Sequence, residues 1–312
     1  MNSIKDYSEI IIIKTGQFET FVSDNGDSFS LGDVLRTTSL LHVLGTTKPI
    51  QWLTQKKALV LLPKHENFKG LEFDLDYLNS AAASPGVLII NLERDPSLAP
   101  VFKNRKDTVG FIFENSAWKI KDIFGNLFTL EAWNRHCQEG VSLTWGGMLQ
   151  KLVGSGAYLS HPIYQKPEIK VVTDIGLNWH VGNKWPSKKI ADQVWKKIES
   201  DLGFKYKLSW QTGLDSIPRY ADWLASNRLI ISVDSLGLHL ASAMDIPVIA
   251  LFGSTDYRLH DAASRSRFIA FDAPKAEYSC MPCWKNECFQ KIHCSEHLDF
   301  NKIYDVVDNF LN

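Results

Sequence analysis

The chain has 312 residues, a formal net charge of −1, 45% hydrophobic residues and 22% charged ones. That length exceeds one comfortable core and suits two domains of roughly 150 residues, and the balanced charge gives nucleic-acid binding no global electrostatic support. No apolar run approaches the roughly 18 residues of a membrane span, and "MNSIKDYSEIIIIK" lacks the longer apolar stretch of a secretory signal, so the expected compartment is the cytoplasm, with peripheral membrane contact left open.

In chain order, the first half alternates strand-type and helix-type pieces. Ile10 to Ile13 reads as a buried strand. The stretch between Lys14 and Leu31 carries "GQFETFVSDNGDSF", a hairpin pattern turning at Asn25-Gly26. "GDVLRTTSLLHVLG" places Val34, Leu35, Leu40, Leu41 and Leu44 near helical spacing and ends in Gly45, a natural helix stop. "PIQWLT" is a second strand, "ALVLLP" a third apolar run, "GVLIINLE" and "TVGFIFE" further strands. "AWKIKDIFGNLFTL" predicts a hairpin around Phe124, Gly125 and Asn126. "LEAWNRHCQEGV" and "WGGMLQKLVG" read as helices.

Two prolines in "SHPIYQKPEIK" interrupt the pattern, which places a linker near residues 158–168 and domains at 1–160 and 161–312. The second half restarts with strand "EIKVVTD", helix "SKKIADQVWKKIESDLG", strand "YKLSWQ", helix "SIPRYADWLAS", strand "RLIISV", helix "LGLHLASAM" and strand "PVIALFG". Helices between parallel-type strands imply right-handed crossovers and doubly wound sheets. Two such units in tandem predict two α/β domains facing a central cleft.

The polar cluster Asp234, Ser235, Gly237 and His239 interrupts two apolar runs where a strand ends and a helix starts. Ligands of open α/β sheets bind at such strand ends. Ser235 can cap the helix, whose first amides favour an anion. Gly237 permits close backbone approach, and His239 lies one turn on. Lys184 precedes Trp185-Pro186 at the equivalent strand–loop–helix position earlier in the same half, where a cation neutralises phosphate. The plain alternative is a helix cap, a partly buried histidine and a solvated lysine. No G-x-G-x-x-G follows a strand, which disfavours a dinucleotide oxidoreductase.

Lys184-Trp185-Pro186, Asp234-Ser235 with His239, "IPVIALFGST", a downstream cysteine cluster and "SLGDVLRTTSLL" together resemble glycosyltransferase family 9, the heptosyltransferase family of lipopolysaccharide core assembly. The resemblance spans most of the chain. It implies the GT-B architecture of two Rossmann-like doubly wound domains, the N-terminal one binding acceptor and the C-terminal one binding a nucleotide sugar. Carried over by position, Asp234, Ser235, Gly237 and His239 surround the donor's diphosphate and sugar, Lys184 contacts phosphate, and Thr255 lines the same pocket. The glutamate often found in the family's ribose pocket has no clear equivalent here; Trp210-Gln211 occupies roughly that region. Asp33 becomes the general base of an inverting transfer. The donor implied is ADP-heptose, and the acceptor a lipopolysaccharide core, another surface glycan, a glycolipid or a protein. No catalytic metal is expected: "DLD" at 74–76 is the one Asp-x-Asp triplet, and it reads as strand-like. The chain departs from the family in its longer segment before Leu31, in the glycine placement of "DSLGLH", and in Ser254 where proline is common.

Four of five cysteines fall within "CMPCWKNECFQKIHC": Cys280, Cys283, Cys288 and Cys294. A C-x2-C pair with two further cysteines can close a tetrahedral thiolate site for structural zinc or iron. His293 is an alternative fourth ligand, and unpaired surface thiols are the plain reading. Cys137 stands apart as an ordinary thiol. Trp179 and Trp185 are candidates to stack on a sugar, Trp210 on a nucleobase. A nucleotide-sugar epimerase and a non-catalytic nucleotide-sugar-binding assembly subunit are the competing functions. An epimerase would need no acceptor, and an assembly subunit would turn over nothing.

Overall fold

The computed structural model describes residues 3–17, 29–45, 48–103, 105–130, 144–156, 161–182, 185–260 and 265–312. The predicted Asn25-Gly26 hairpin, nearly all of the predicted helix "LEAWNRHCQEGV", Cys137 and Lys184 lie outside them. The chain divides into two compact units, Met1–Ile163 and Tyr164–Asn312. Among the described residues no helix is long and apolar enough to cross a membrane.

The first unit is built on a seven-stranded sheet of order β3-β2-β1-β4-β5-β6-β7. Its strands are β1 (Glu9–Ile13), β2 (Ile50–Thr54), β3 (Phe68–Glu72), β4 (Val87–Asn91), β5 (Thr108–Glu114), β6 (Ala117–Lys121) and β7 (Leu127–Thr129). The first five run parallel, and β6 and β7 add an antiparallel edge. Ile10 to Ile13 are all fully buried, as a strand covered on both faces requires.

"ALVLLP" is not a strand. Residues Lys56–Leu61 form a 3₁₀ helix in the crossover from β2 to β3. A parallel pair needs such a connection, and Leu59 and Leu62 lie against Gly70 of β3, where a Cβ would come within 3.3 Å and 2.8 Å of them. The predicted hairpin at Phe124, Gly125 and Asn126 joins β6 to β7, with Asp122 accepting hydrogen bonds from the Phe124 and Asn126 amides at 3.0 and 2.8 Å. A second reversal, at Asn115 and Ser116 with φ of 52° and 61°, joins β5 to β6. Without a glycine it gave no turn signal. "DLD" also differs: Asp74 caps the helix Leu75–Ala82 rather than sitting in a strand.

The second unit holds a five-stranded all-parallel sheet of order β12-β11-β10-β8-β9. Its strands are β8 (Thr173–Asn178), β9 (Leu208–Trp210), β10 (Asn227–Val233), β11 (Val248–Phe252) and β12 (Ser266–Ala270). Helices Asp192–Gly203, Ile217–Ala225, Leu236–Ala243 and Phe300–Leu311 accompany it. The predicted strand "EIKVVTD" begins only at Thr173. Val171 and Val172 are exposed, and the pairing of β8 with β10 starts at Thr173 against Asn227. Hydrophobic character marked the region, but pairing set the boundary. Ile175, Leu177, Leu229, Ile231 and Ile249 form the centre of this unit's core against Ile198 and Ile303.

Both sheets contain the reversal of strand order at which open α/β sheets bind ligands, outside the carboxyl ends of the strands. In the first unit it falls between β1 and β4, in the second between β8 and β10. The first is crossed by a fully buried ion pair, Lys14 Nζ to Glu93 Oε1 at 3.3 Å, and the same Glu93 oxygen accepts the Gly16 amide at 2.7 Å. Burial raises the Glu93 pKa, while the Lys14 charge and the Gly16 amide oppose the rise. Removing one member of such a pair strands the other charge. Lys14→Met should therefore destabilise the protein by about 3–5 kcal/mol, read by urea unfolding, while Lys14→Met with Glu93→Leu should recover most of the loss.

Candidate functional site

In the second unit, β8 ends in Asn178, and β10 leads into Asp234 and Ser235 at the start of the helix Leu236–Ala243. Asp234 is buried with a relative exposure of 4%. One carboxylate oxygen, Oδ2, lies 2.7 Å from Lys188 Nζ and accepts the Thr255 hydroxyl at 2.7 Å. His260 Nε2 is 3.6 Å from the same oxygen, and His239 Nε2 is 3.9 Å from Oδ1. The two imidazoles stack at 5.5 Å with 6° between their planes. Oδ1 accepts no hydrogen bond from the described residues.

Burial alone would raise the carboxyl pKa of Asp234. The charges of His260, Lys188 and His239 outweigh it and hold the group far below the usual carboxylate range. Asp234 is thus a fixed anion held by the Lys188 ammonium and flanked by two imidazoles, with one oxygen still able to accept a hydrogen bond. Among the described residues, only Asp234, His239 and His260 offer three metal-type ligand atoms within 4.8 Å of one another. The Lys188 ammonium already supplies a cation to that carboxylate.

Ser235 occupies the N-cap position, but its side chain makes no capping bond. Its hydroxyl instead accepts from Asn178 Nδ2 at 3.1 Å, and the same amide donates to Ser232 at 2.7 Å. Tyr220 donates its hydroxyl to Asn178 Oδ1. Gly237 sits beneath this pair, where a Cβ would stand 2.1 Å from the Tyr220 oxygen and 2.4 Å from Asn178 Nδ2. The close approach that requires glycine here is therefore made by the protein's own side chains. Gly237→Ala should cost about 1–3 kcal/mol by overpacking, and Gly237→Ala with Tyr220→Phe should recover part of it, as measured by thermal unfolding.

The other predicted residues fall as follows. Thr255 is buried on Asp234, and His239 is buried beside it. Gln211 is buried, its backbone carbonyl accepts the Trp179 indole N–H at 2.8 Å, and its side-chain oxygen has no partner among the described residues. Trp210 packs edge-on to Trp195 and donates to Glu199 at 2.6 Å, which ties its indole to the helix Asp192–Gly203. Trp185 lies under the Lys188 ammonium at 5.3 Å. In the first unit, Asp33 is half-buried in the first turn of the helix Leu31–Thr37, whose cap is Ser30: the Asp33 amide donates to Ser30 Oγ at 3.3 Å. The helix-cap role that would explain Asp33 blandly thus belongs to Ser30.

Lys188 and His260 were missed. Lys188 is one of two adjacent lysines in a helix-like run, and nothing in the spacing separates it from a solvated surface charge. His260 sits five residues beyond Thr255, past the end of the apolar run that drew attention to the region.

The cysteine loop belongs to the same unit. All four thiols are unpaired: Cys294 is buried, Cys283 half-buried, and Cys280 and Cys288 exposed. Burial, with the neighbouring Cys288, Cys283 and Cys280, pushes the Cys294 thiol up to about 12. The donor set, four thiols on one loop, fits zinc or iron in type, and the sulfurs would have to draw together to hold it. His293 is committed elsewhere. Nε2 must donate to the Ser187 carbonyl at 3.1 Å, so Nδ1 is the acceptor for the Ser295 amide at 3.2 Å.

The glycosyltransferase family 9 (heptosyltransferase) profile matches residues 175–293. Lipopolysaccharide heptosyltransferase 1 of Pseudomonas aeruginosa is 27% identical over 130 residues, a match spanning 34% of this chain and little more than a third, 36%, of that protein. The E. coli heptosyltransferase WaaC, solved with ADP, superposes with a TM-score of 0.57 at 14% identity over 96% of this chain and 99% of its own. The iron-containing dodecameric glycosyltransferase TibC of enterotoxigenic E. coli gives 0.56 at 12% identity over 99% of this chain and 77% of its own. By sequence in its second unit the chain resembles the glycosyltransferase family 9 (heptosyltransferase) proteins, and over nearly its whole length it shares the GT-B fold of these solved glycosyltransferases.

Proposed function

We propose that this protein is an inverting glycosyltransferase that moves a sugar, ADP-heptose being the donor, onto a lipopolysaccharide-core, surface-glycan or protein acceptor. The observation that carries the reading is Asp234: a buried carboxylate at the strand-order reversal of the second unit, ringed by Lys188, His239, His260 and Thr255, with one oxygen left to accept a donor hydroxyl. The helix Leu236–Ala243 starts beside it with no side chain capping it, which suits a diphosphate.

In the proposed reaction the acceptor oxygen attacks the anomeric carbon while the bond from that carbon to the diphosphate oxygen breaks. The acceptor's proton passes to the Asp33 carboxylate, and the nucleoside diphosphate leaves with the bonding pair. Negative charge grows on the leaving group, so cationic and amide groups fixed in advance are most effective there. His239, the amides that open the helix Leu236–Ala243, and Lys184 fill that role. Lys188 keeps Asp234 ionised, so that the carboxylate accepts rather than donates. Ser235 and Gly237 shape the turn. Gln211 and Trp179 stand on the nucleoside side, and Thr255 orients Asp234. A zinc or iron ion on Cys280, Cys283, Cys288 and Cys294 would be structural, since all four positions would be filled by protein sulfur.

The experiment is an assay of ADP release from ADP-heptose with and without lipopolysaccharide core from a heptose-deficient strain. Release that depends on acceptor, with the anomeric configuration inverted in the product, is expected. Conversion of the donor without acceptor would indicate an epimerase, and no turnover with any donor would indicate a binding subunit.

A further inference from the structure

The cysteine loop touches the candidate donor site at two points, and both are one residue away from a group that grips Asp234. Ser187 precedes Lys188, and Ser254 precedes Thr255. The Ser187 amide donates to the Asn286 carbonyl at 2.9 Å, and its hydroxyl donates to the Lys285 carbonyl at 2.5 Å. The Ser187 carbonyl accepts from His293 at 3.1 Å. Every polar group of Ser187 is thus held by the loop, and the residue is buried. At the second point, the Ser254 carbonyl accepts the Trp284 amide at 2.9 Å and lies 3.8 Å from Cys283 Sγ. Gly253 is pressed against the same loop, with a Cβ there standing 3.0 Å from Cys294 Sγ.

The two anchors converge on one atom. Lys188 Nζ and the Thr255 hydroxyl each lie 2.7 Å from Asp234 Oδ2. The segment Pro186–Lys188 is a single 3₁₀ turn whose cap residue, Trp185, makes no side-chain capping bond. It therefore owes its position largely to the loop that holds Ser187. A loop whose four thiols are drawn together by a metal is stiff, and without one its geometry rests on a few hydrogen bonds.

We infer that the cysteine loop is the positioning element of the donor pocket: a metal on its four thiols sets Lys188 and Thr255 on Asp234 by way of Ser187 and Ser254, and donor affinity follows metal loading. This rests on the reading that the pocket takes a nucleoside diphosphate. His293 is a positioning residue in this account and not a metal ligand.

The test uses the full chain loaded with zinc or with ferrous iron, the same chain stripped by a chelator, and the variants His293→Ala and His293→Gln. Metal content, ADP affinity by calorimetry, and amide hydrogen exchange at residues 185–190 and 253–256 are measured on each. Stripping should weaken ADP binding by about tenfold or more, reversed on reloading, and should speed exchange in both segments. His293→Ala should weaken ADP binding while keeping its metal, and His293→Gln, whose amide can still donate to the Ser187 carbonyl, should restore part of the affinity. A chain that takes up neither metal, or exchange and ADP affinity that do not change on stripping, would overturn the inference, as would loss of metal in His293→Ala. Exchange that responds to stripping in a chain that binds no ADP would uphold the coupling and overturn the nucleotide reading instead.

Discussion

Asp33→Ala should lower acceptor-dependent turnover by about 10²–10⁴-fold, the usual contribution of a positioned general base, while leaving ADP affinity within a factor of about two. Asp33 lies in the first unit and the proposed donor residues in the second, so the two readouts separate cleanly. Its half-buried setting in the first turn of a helix capped by Ser30 leaves its carboxylate no duty as the cap. Asp33→Asn keeps the shape and removes the basicity, and it should fall as far as the alanine variant. Steady-state kinetics beside calorimetry decide the matter. Equal losses of ADP affinity and turnover would mean that Asp33 holds the site together and takes no proton.

Asp234→Asn should have two large effects. Lys188 and two imidazoles would face a neutral amide at a buried position, a change that costs about 3–5 kcal/mol of stability when one member of a buried pair is removed. The acceptor proposed for the donor sugar would also lose its charge, weakening nucleotide-sugar binding by about 10- to 100-fold. The pH dependence follows from the direction of the shift. Asp234 is held below its unfolded pKa, so its contribution to stability is fully present above about pH 4 and is lost as the pH falls from there toward the folded value. The wild type should therefore lose more stability than Asp234→Asn between pH 5 and the acid limit of folding, seen in denaturant melts. Parallel pH profiles would show that the carboxylate is not ionised by its neighbours.

Much of the fold was legible because strands buried on both faces announce themselves. Ile10 to Ile13 is a continuous apolar run, Leu229 to Val233 is broken only by the buried Ser232, and each lies near the middle of its sheet. The errors arose where an apolar run served a different geometry. "ALVLLP" had strand composition but lies in a crossover, and Val171 and Val172 looked like strand yet precede the first paired residue. Strand β12 and the helix Phe300–Leu311 do not stand out in the sequence; β12 is an edge strand in which only Ser266 and Ile269 are buried, so it lacks the apolar run of a central strand.

For the site, Asp234, His239 and Thr255 were legible as polar residues set into apolar runs at strand ends, and the structure gathers them around one carboxylate. Lys188 and His260 were not, since a lysine beside another lysine and a histidine in a loop carry no pattern until the chain folds. Gly237 was read for ligand approach, and the group that approaches it is Tyr220. A glycine tells a reader that something comes close and not what.

The central claim is that the second unit holds a nucleoside diphosphate between Asp234 and the start of the helix Leu236–Ala243. A crystal structure of the full chain with ADP tests it most directly. The account predicts density for the diphosphate at the amides that open that helix, with Lys188 or His239 within hydrogen-bond reach of a phosphate oxygen. Nucleotide bound elsewhere in the chain, or an empty pocket at an ADP concentration that saturates binding in solution, would contradict it.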